Sequence, residues 1–313
     1  MRPVVVSVGP LATADDNGIV ESQTPAGAGQ LALNGALTDF SATSIAAAQT
    51  LLAPGALTLT DSRVYLAGNQ YIALTAVDNE TAVNFTIVGV AVGNVGVTET
   101  IAGPNAGIAV STKQYSQIIS ITADAATTDD VSVGTWTAAT LDQPRRVLLT
   151  FGGNETGKSA TITGTDRYGN PISEVVAGAN ATTASTVQDF ATVISISFSA
   201  AAAGTIIAGT SGVAASAWVR FDDWTQNMLS IQANVSGSVN YTVQSTLDDP
   251  NSPTNPVAPA SITWFTSNDT NLASQTVARQ SNTQIMPTYA RVLLNSGTGS
   301  VTATFTQFAQ GAW

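Results

Sequence analysis

The residues that most directly suggest chemistry are Gly152-Gly153-Asn154-Glu155-Thr156-Gly157-Lys158-Ser159, which match the phosphate-binding loop pattern G-x-x-x-x-G-K-[ST]. In such a loop, backbone amides cradle the phosphates, Lys158 would contact the β- and γ-phosphates, and Ser159 would bind magnesium. The pattern also requires a following helix, because the helix N-terminus contributes to anion binding. Residues 160–165 are instead strand-like, so the segment predicts a turn between two strands and no nucleotide site.

An internal repeat provides a test of this motif. Residues 72–135 and 147–210 align at a constant offset of 75 residues, with 21 identities in 64 positions. The equivalent loop in the first copy, residues 77–84, keeps Asn79-Glu80-Thr81 but lacks the glycines, the lysine and the serine. The shared residues occupy strand and turn positions, which indicates a duplicated architectural module.

Composition excludes several other kinds of chemistry. The 313 residues include no cysteine and no histidine, so disulfides, thiol nucleophiles, Ser-His pairs and histidine-based zinc sites are ruled out. The net charge is −11 and there is no run of basic residues, which argues against direct contact with nucleic acid. No apolar stretch approaches the length of a membrane span, so we expect no membrane segment, and we predict no cofactor.

Acidic pairs are the remaining candidates for metal binding or acid–base catalysis; they are Asp15-Asp16, Asp129-Asp130, Asp222-Asp223 and Asp248-Asp249. The last pair, with Asn251 and Ser252 nearby, offers the most oxygen ligands for calcium, but none of the pairs fits the EF-hand loop. Paired carboxylates also serve glycoside hydrolases, yet nothing in the sequence selects one pair. We therefore favour solvated turn residues and expect no enzymatic activity.

The elements that position these residues are predicted to be strands, because residues such as 193–198 alternate with a period of two. The predicted fold class is all-β, with an extended N-terminal arm, tandem small antiparallel β-sandwich or barrel modules, and a C-terminal β-sandwich domain. The predicted boundaries are 1–69 for the arm, 70–136 and 145–211 for the two modules, and 218–313 for the C-terminal domain.

Three local predictions refine this division. Ile45, Ala48, Leu51 and Leu52 lie near helical spacing before Pro54-Gly55, so a short helix is predicted within residues 41–53. In the C-terminal domain, residues 229–235 with 239–243, and 289–294 with 301–305, are predicted hairpins. Four of the five tryptophans lie in this domain, where burial in an aromatic core is favoured over an interface.

Several motifs, in this order along the chain, resemble structural proteins of tailed bacteriophage virions. They are Met1-Arg2-Pro3-Val4-Val5-Val6, Gly18-Ile19, Ser22 to Gly29 and Leu33-Asn34-Gly35 in the arm, Thr161 to Asn170 with Ser173-Glu174, and Val239 to Gln244 with Leu247-Asp248-Asp249-Pro250. The resemblance implies a non-enzymatic protein located in the virion. A head decoration or cement protein that stabilises the capsid is the leading hypothesis. A tail component (tube, adaptor or knob subunit) and a carbohydrate-binding or glycoside-hydrolysing β protein are the alternatives.

The resemblance also implies partners, namely copies of the chain itself, with a trimer as one candidate symmetry, and the major capsid protein or other virion proteins. The interface candidates are Arg2, Val4, Val6, Arg145, Arg146, Asp248 and Asp249. The two adjacent arginines are expected to pair either with acidic loops of a neighbouring subunit or with local carboxylates. The arm is expected to be disordered alone and to become ordered against neighbouring subunits.

Overall fold

The secondary structure is almost entirely β. The computed structural model of the protein describes residues 3–38, 40–221, 229–283 and 286–307. This part of the chain holds 26 strands, two single-turn 3-10 helices (Pro259–Ser261 and Thr270–Leu272) and no α-helix. The strand pairings within it are antiparallel. The predicted all-β fold class is therefore confirmed.

The strands fall into four groups along the chain. The arm contributes β1 (Val4–Val8), β2 (Val20–Gln23), β3 (Gly29–Gln30), β4 (Ala46–Gln49) and β5 (Gly55–Ala56). Module 1 contains β6 (Val64–Asn79), β7 (Asn84–Ala91), β8 (Val95–Ala102), β9 (Asn105–Val110), β10 (Tyr115–Ala123) and β11 (Val131–Trp136). Module 2 contains β12 (Ala139–Arg145), β13 (Val147–Phe151), β14 (Ser159–Thr165), β15 (Pro171–Ala177), β16 (Thr183–Ser185), β17 (Phe190–Phe198) and β18 (Ile206–Thr210). The C-terminal domain contains β19 (Ala214–Ala215), β20 (Val219–Arg220), β21 (Leu229–Ser236), β22 (Asn240–Thr246), β23 (Phe265–Thr266), β24 (Arg279–Thr283), β25 (Tyr289–Ser296) and β26 (Ser300–Gln307).

The two modules repeat one strand order at the offset found in the sequence. Strands β10 and β17 begin and end at equivalent residues. Alternate residues of β7 and β14, such as Ile87 and Ile162, are fully buried, as a period of two requires. Each module and the C-terminal domain has its own apolar core, although Ala73 and Trp136 of module 1 belong to the core of module 2.

The modules share one sheet. Thirteen strands form it, and its main path runs β15-β14-β17-β3-β9-β6-β10-β7-β8. The short strand β3 joins the modules, because it pairs with β17 of module 2 and with β9 of module 1. The two ends of this path are β15 and β8, which are equivalent strands of the repeat. Within the described residues, no strand pairs with the outer edge of β15 or of β8.

The C-terminal domain differs from the hairpin prediction. Strand β21 pairs with β26 and β24, whereas β22 pairs with β25 and β23, so consecutive strands lie in different sheets. The turns at Gly237 and Gly297 therefore carry the chain from one sheet to the other, and both glycines have positive φ. Alternation identifies strands correctly, but it does not determine which strands pair. The four-stranded sheet β1-β26-β21-β24 faces the sheet of β22 and β25 across a shared core.

The N-terminal arm is ordered by its own chain. Strand β1 pairs with β26 of the C-terminal domain, β2 with β18 of module 2, β4 with β11 and β5 with β10 of module 1. From its N-terminus onward, the arm thus pairs first with the C-terminal domain, then with module 2 and last with module 1, which is the reverse of their order along the chain. The expectation that only neighbouring subunits order it is wrong, because its backbone groups find partners within the same molecule.

The predicted helix within residues 41–53 is also wrong. Ala46–Gln49 forms strand β4, since its backbone pairs with β11 at Val131 and Val133. Ile45 and Ala46 are fully buried, so their apolar side chains serve a strand that closes the core of module 1. Tertiary pairing has overridden a weak local helical pattern.

The arm contains a second repeat, with an offset of 26 residues, that the sequence prediction missed. Gln23 exchanges two hydrogen bonds with the backbone of Ala32, and Gln49 exchanges the same two with Thr58. Likewise the amides of Leu31 and Leu57 donate to equivalent carbonyls in β17 and β10. Each module is therefore completed by its own pair of short arm strands, β2 and β3 for module 2 and β4 and β5 for module 1.

Candidate functional site

The phosphate-loop motif forms a turn between β13 and β14. Strand β14 begins at Ser159, directly after the motif, so no helix N-terminus faces the loop. The Nζ atom of Lys158 lies 2.7 Å from Oε2 of Glu155, whose side chain is fully buried. The lysine is thus engaged by a carboxylate of its own turn, and this geometry favours the turn interpretation of the motif.

In both repeats, the buried carboxylate of the shared glutamate holds a distant loop through two hydrogen bonds, and we call this arrangement a latch. Oε1 of Glu155 accepts hydrogen bonds from the amides of Ala203 and Gly204 at 2.7 and 2.9 Å. Oε1 of Glu80 accepts bonds of the same two lengths from residues 128 and 129. Burial would raise the pKa of Glu155, but Lys158 and the two amides outweigh it and hold this pKa below its ordinary value.

A second shared glutamate has the same kind of role. The carboxylate of Glu99 accepts hydrogen bonds from the amides of Thr112 and Lys113. The carboxylate of Glu174 accepts them from the amides of Val187 and Gln188. The acidic residues that the two copies share are therefore committed to holding loops in place.

The predicted interface residues of the arm lie against their own C-terminal domain. Val4 and Val6 pack against its core from β1, while Val5 between them is 59% exposed. Arg2 lies outside the described residues. The apolar faces of Val4 and Val6 are thus partly used within the molecule, and Val5 is the member of this strand that faces solvent.

The adjacent arginines have two different environments. Arg145 is 2% exposed; its guanidinium donates to the carbonyl of Ala12 at 2.9 Å and lies 3.0 Å from the carboxylate of Asp142. This residue links the arm to module 2 inside one chain, and its contact with another subunit stays a prediction. Arg146 is half-buried beside the carboxylate of Asp189.

Asp248 and Asp249 stabilise a loop of the C-terminal domain. Oδ2 of Asp248 accepts a hydrogen bond from the amide of Thr263 at 2.8 Å. Asp249 accepts from the amide of Asn251 and from the hydroxyl of Tyr289, and it lies 3.5 Å from Arg220. Within the described ranges, no group of three or more carboxylates could hold a metal ion. Asp248 also lines a groove of about 620 Å³ flanked by the exposed side chains of Leu247 and Phe265.

The most distinctive site is a cleft of about 450 Å³ between module 2 and the C-terminal domain, which we call the interdomain cleft. Module 2 contributes the turn between β14 and β15 and the segment that precedes β17; the C-terminal domain contributes Trp218, Pro259, Trp264 and Arg291. The rings of Trp218 and Trp264 meet edge to face, with centroids 5.2 Å apart. The guanidinium carbon of Arg291 lies 4.1 Å from the ring centroid of Trp264.

Positive charge is concentrated behind this cleft. The guanidinium groups of Arg146, Arg167 and Arg291 all act on the carboxylate of Asp189. Burial nevertheless raises the pKa of Asp189 to about 6. Its Oδ1 atom has no hydrogen-bond partner among the described residues. Burial likewise lowers the pKa of Arg291 to about 10, and the other two arginines contribute to this decrease.

The sequence prediction selected Arg146 from this cluster but missed the rest. Arg167 and Asp189 come from separate loops of module 2, and Arg291 joins them only through the contact with the C-terminal domain. The scarcity of basic residues was the available signal: the acidic chain has only ten lysine and arginine residues, so each arginine is a candidate for a specific role. Among the five tryptophans, Trp218 and Trp264 line the cleft, Trp136 is fully buried, and Trp224 and Trp313 lie outside the described residues.

Comparison with known proteins gives little further information. No protein-family model matches the chain, and a search of curated proteins gives no significant match. One solved structure, described as "The Triple Jelly Roll Fold and Turret Assembly in an Archaeal Virus", is 13% identical and aligns over 97% of this chain and 91% of that chain, with a TM-score of 0.19. A likeness at this level supports no argument about function. In the part of the chain that the structure describes, no helix is long and apolar enough to cross a membrane.

Proposed function

We propose that this protein is a non-enzymatic structural protein of a virus particle, and specifically a capsid decoration protein that stabilises the head. The observation that carries the proposal is the placement of β8 and β15, which are the same strand of the two repeats, at opposite ends of the path through one sheet. Two copies of one surface suit a partner that is itself repeated, because simultaneous engagement raises the overall affinity.

The chemistry of these edges supports contact with other protein surfaces. Unpaired strand edges offer backbone donors and acceptors to another chain. The exposed side chains include Val95 on β8 and Val175 on β15, which are 60% and 64% exposed. The only charged residues in these two strands, Glu99 and Glu174, are bonded to loop amides. We infer that the edges contact the major capsid protein or further copies of this chain.

Particles that lack the protein test the proposal. We expect them to break at a lower temperature than complete particles and to regain stability when the purified full-length protein is added. A copy number in the hundreds per particle is expected for a head coat. If complete and depleted particles break at the same temperature, the stabilising role is wrong. Recovery with purified tails at low copy number would favour the tail component instead.

A second experiment tests whether the two sheet edges are the contact surface. Lysine substitutions at Val95 and Val175 place charge on both edges, which natural sheets use to prevent edge-to-edge pairing. We expect the double variant to bind depleted particles at least about tenfold more weakly, equivalent to about 1.4 kcal/mol. Val277→Lys is the matched control, since Val277 is also exposed but lies in the C-terminal domain. Equal binding by the double variant and the control would show that the edges are not the contact surface.

A further inference from the structure

The interdomain cleft has a buried cation whose terminal nitrogens are available to a ligand. Arg291 is 4% exposed and lines the cleft. Within the described residues, it donates a hydrogen bond only from Nε, to Oε1 of Gln244 at 2.9 Å. No ion pair joins it to Asp189, so the guanidinium nitrogens of Arg291 lie more than 4.0 Å from the carboxylate oxygens of Asp189. A buried guanidinium whose terminal nitrogens lack acceptors is a favourable binding site for an anion that can accept hydrogen bonds from them.

The charge around the cleft has the same sign as this cation. Arg146 and Arg167 add two further guanidinium groups, whereas Asp189 is the one carboxylate among them. The other carboxylate at the cleft, Asp166, accepts hydrogen bonds from the amides of Tyr168 and Asn170 and from the side chain of Asn170. The site is therefore locally cationic in a chain whose net charge is −11.

The walls of the cleft suit a ring with hydroxyl groups. Trp218 and Trp264 are both half-buried, so part of each indole ring faces the cleft. On the opposite wall, the side-chain nitrogens of Asn170 and Gln188 donate to Asp166 and to the carbonyl of Ser173. These bonds fix the orientation of the two amides and leave their carbonyl oxygens as acceptors for hydroxyl groups.

We propose that the interdomain cleft binds a sugar that carries a carboxylate, such as a uronic or sialic acid residue of an acidic glycan. The carboxylate of the sugar would accept hydrogen bonds from Arg291 and Arg167. Its hydroxyls would donate to Asn170 and Gln188, and the apolar face of its ring would lie against the tryptophans. The cleft includes Pro171 and Ile172 of β15, so it adjoins one of the two sheet edges proposed to contact the capsid.

Titration of the full-length protein with free sugars tests this assignment by calorimetry and by saturation-transfer NMR. The probes are glucuronic acid, N-acetylneuraminic acid, glucose and inorganic phosphate. An acidic sugar is expected to bind with a Kd of ~1 mM, as suits a ligand of this size. Glucose and phosphate are each expected to bind at least about tenfold more weakly, because each lacks one of the recognised features.

Variants connect the binding to the cleft. Trp264→Ala and Gln188→Ala alter opposite walls, and each is expected to weaken acidic-sugar binding by about tenfold or more. Arg220→Gln is the control, since Arg220 is exposed and does not line the cleft. The melting temperature of each variant shows whether it folds, and either wall variant suffices for the test.

Four results would overturn the proposal. Glucose binding as tightly as glucuronic acid would remove the role of the carboxylate, and phosphate binding as tightly would show a simple anion pocket. Undiminished binding by folded wall variants would place the sugar elsewhere. Failure of both acidic sugars to bind at about ten times the expected Kd would exclude the site. None of these results bears on the stability of virus particles, so the proposed structural function is tested separately.

Discussion

Exchange of the buried glutamate for glutamine in each repeat should give two different results. Glu155→Gln keeps a side-chain carbonyl for the amides of Ala203 and Gly204 but removes the 2.7 Å ion pair with Lys158. Glu80→Gln keeps the equivalent carbonyl and removes no ion pair, because Val83 stands where module 2 has Lys158 and Oε2 of Glu80 has no partner among the described residues. The repeat thus supplies its own control.

The size of the difference follows from the geometry. A hydrogen bond to a charged group contributes about 1.5–3 kcal/mol, and Lys158 is 24% exposed, so Glu155→Gln should cost about 2 kcal/mol. Glu80→Gln removes a buried charge that has no ion-pair partner, but the amide nitrogen that replaces Oε2 is also buried without a partner among the described residues. We therefore expect the two effects to offset each other and this variant to lose little or no stability.

Amide hydrogen exchange measures the two latches separately. For Glu155→Gln, the amides of Ala203 and Gly204 should exchange about 30-fold faster, the equivalent of about 2 kcal/mol in local opening. For Glu80→Gln, the amides of Thr128 and Asp129 should exchange no faster than in the unmodified protein. Equal acceleration in both variants would refute the reasoning, because the ion pair with Lys158 would then contribute nothing.

Three further predictions concern the arm and the interdomain cleft. A Cβ at Gly209 would collide with the carbonyl oxygen of Asp15 in the arm, so Gly209→Ala should destabilise module 2 by about 2 kcal/mol or more in thermal unfolding. The control is Gly212→Ala, which should change stability by less than about 0.5 kcal/mol because the space around Gly212 is open. Deletion of residues 1–9 removes β1, so amides of β26 should exchange faster while those of β18 keep their rates. Burial raises the pKa of Asp189 from 3.8 to about 6, so the folded protein retains a proton that the unfolded chain loses, and stability should fall between about pH 4 and pH 6 and then stay level. Asp189→Asn should remove this decrease. The difference in unfolding free energy between the variant and the unmodified protein should therefore grow by up to about 3 kcal/mol from pH 4 to pH 8. A difference that does not depend on pH would contradict the assignment.

Strand positions could be predicted from the sequence, but strand partners could not. Alternation locates β21, β22, β25 and β26 because each has one face in a core. The glycine turns at 237 and 297 resemble hairpin turns, yet each carries the chain across the sandwich to the other sheet. A turn sequence reports that the chain reverses, while the packing of two sheets decides which neighbour each strand finds.

The arm was harder to predict because its signal is short and its partners are distant. Its strands β2 to β5 have only two to four residues, too few for a clear period of two. Val4 of β1 pairs with Phe305, near the other end of the chain. The clue that was present, a 26-residue repeat in which Gln23 and Gln49, and Leu31 and Leu57, recur, becomes convincing only through its matching hydrogen bonds.

The repeat also separates residues that maintain the fold from residues that make the interdomain cleft. The latch residues Glu80 and Glu99 recur in module 2, because every copy of the fold needs them. The residues that module 2 contributes to the cleft do not recur: Arg167, Tyr168, Asn170, Gln188 and Asp189 align with Val92, Gly93, Val95, Lys113 and Gln114. A cleft that merely followed from the module fold would draw on the shared set. These residues instead belong to the copy that abuts the C-terminal domain, which is the arrangement expected of a binding site added to a structural repeat.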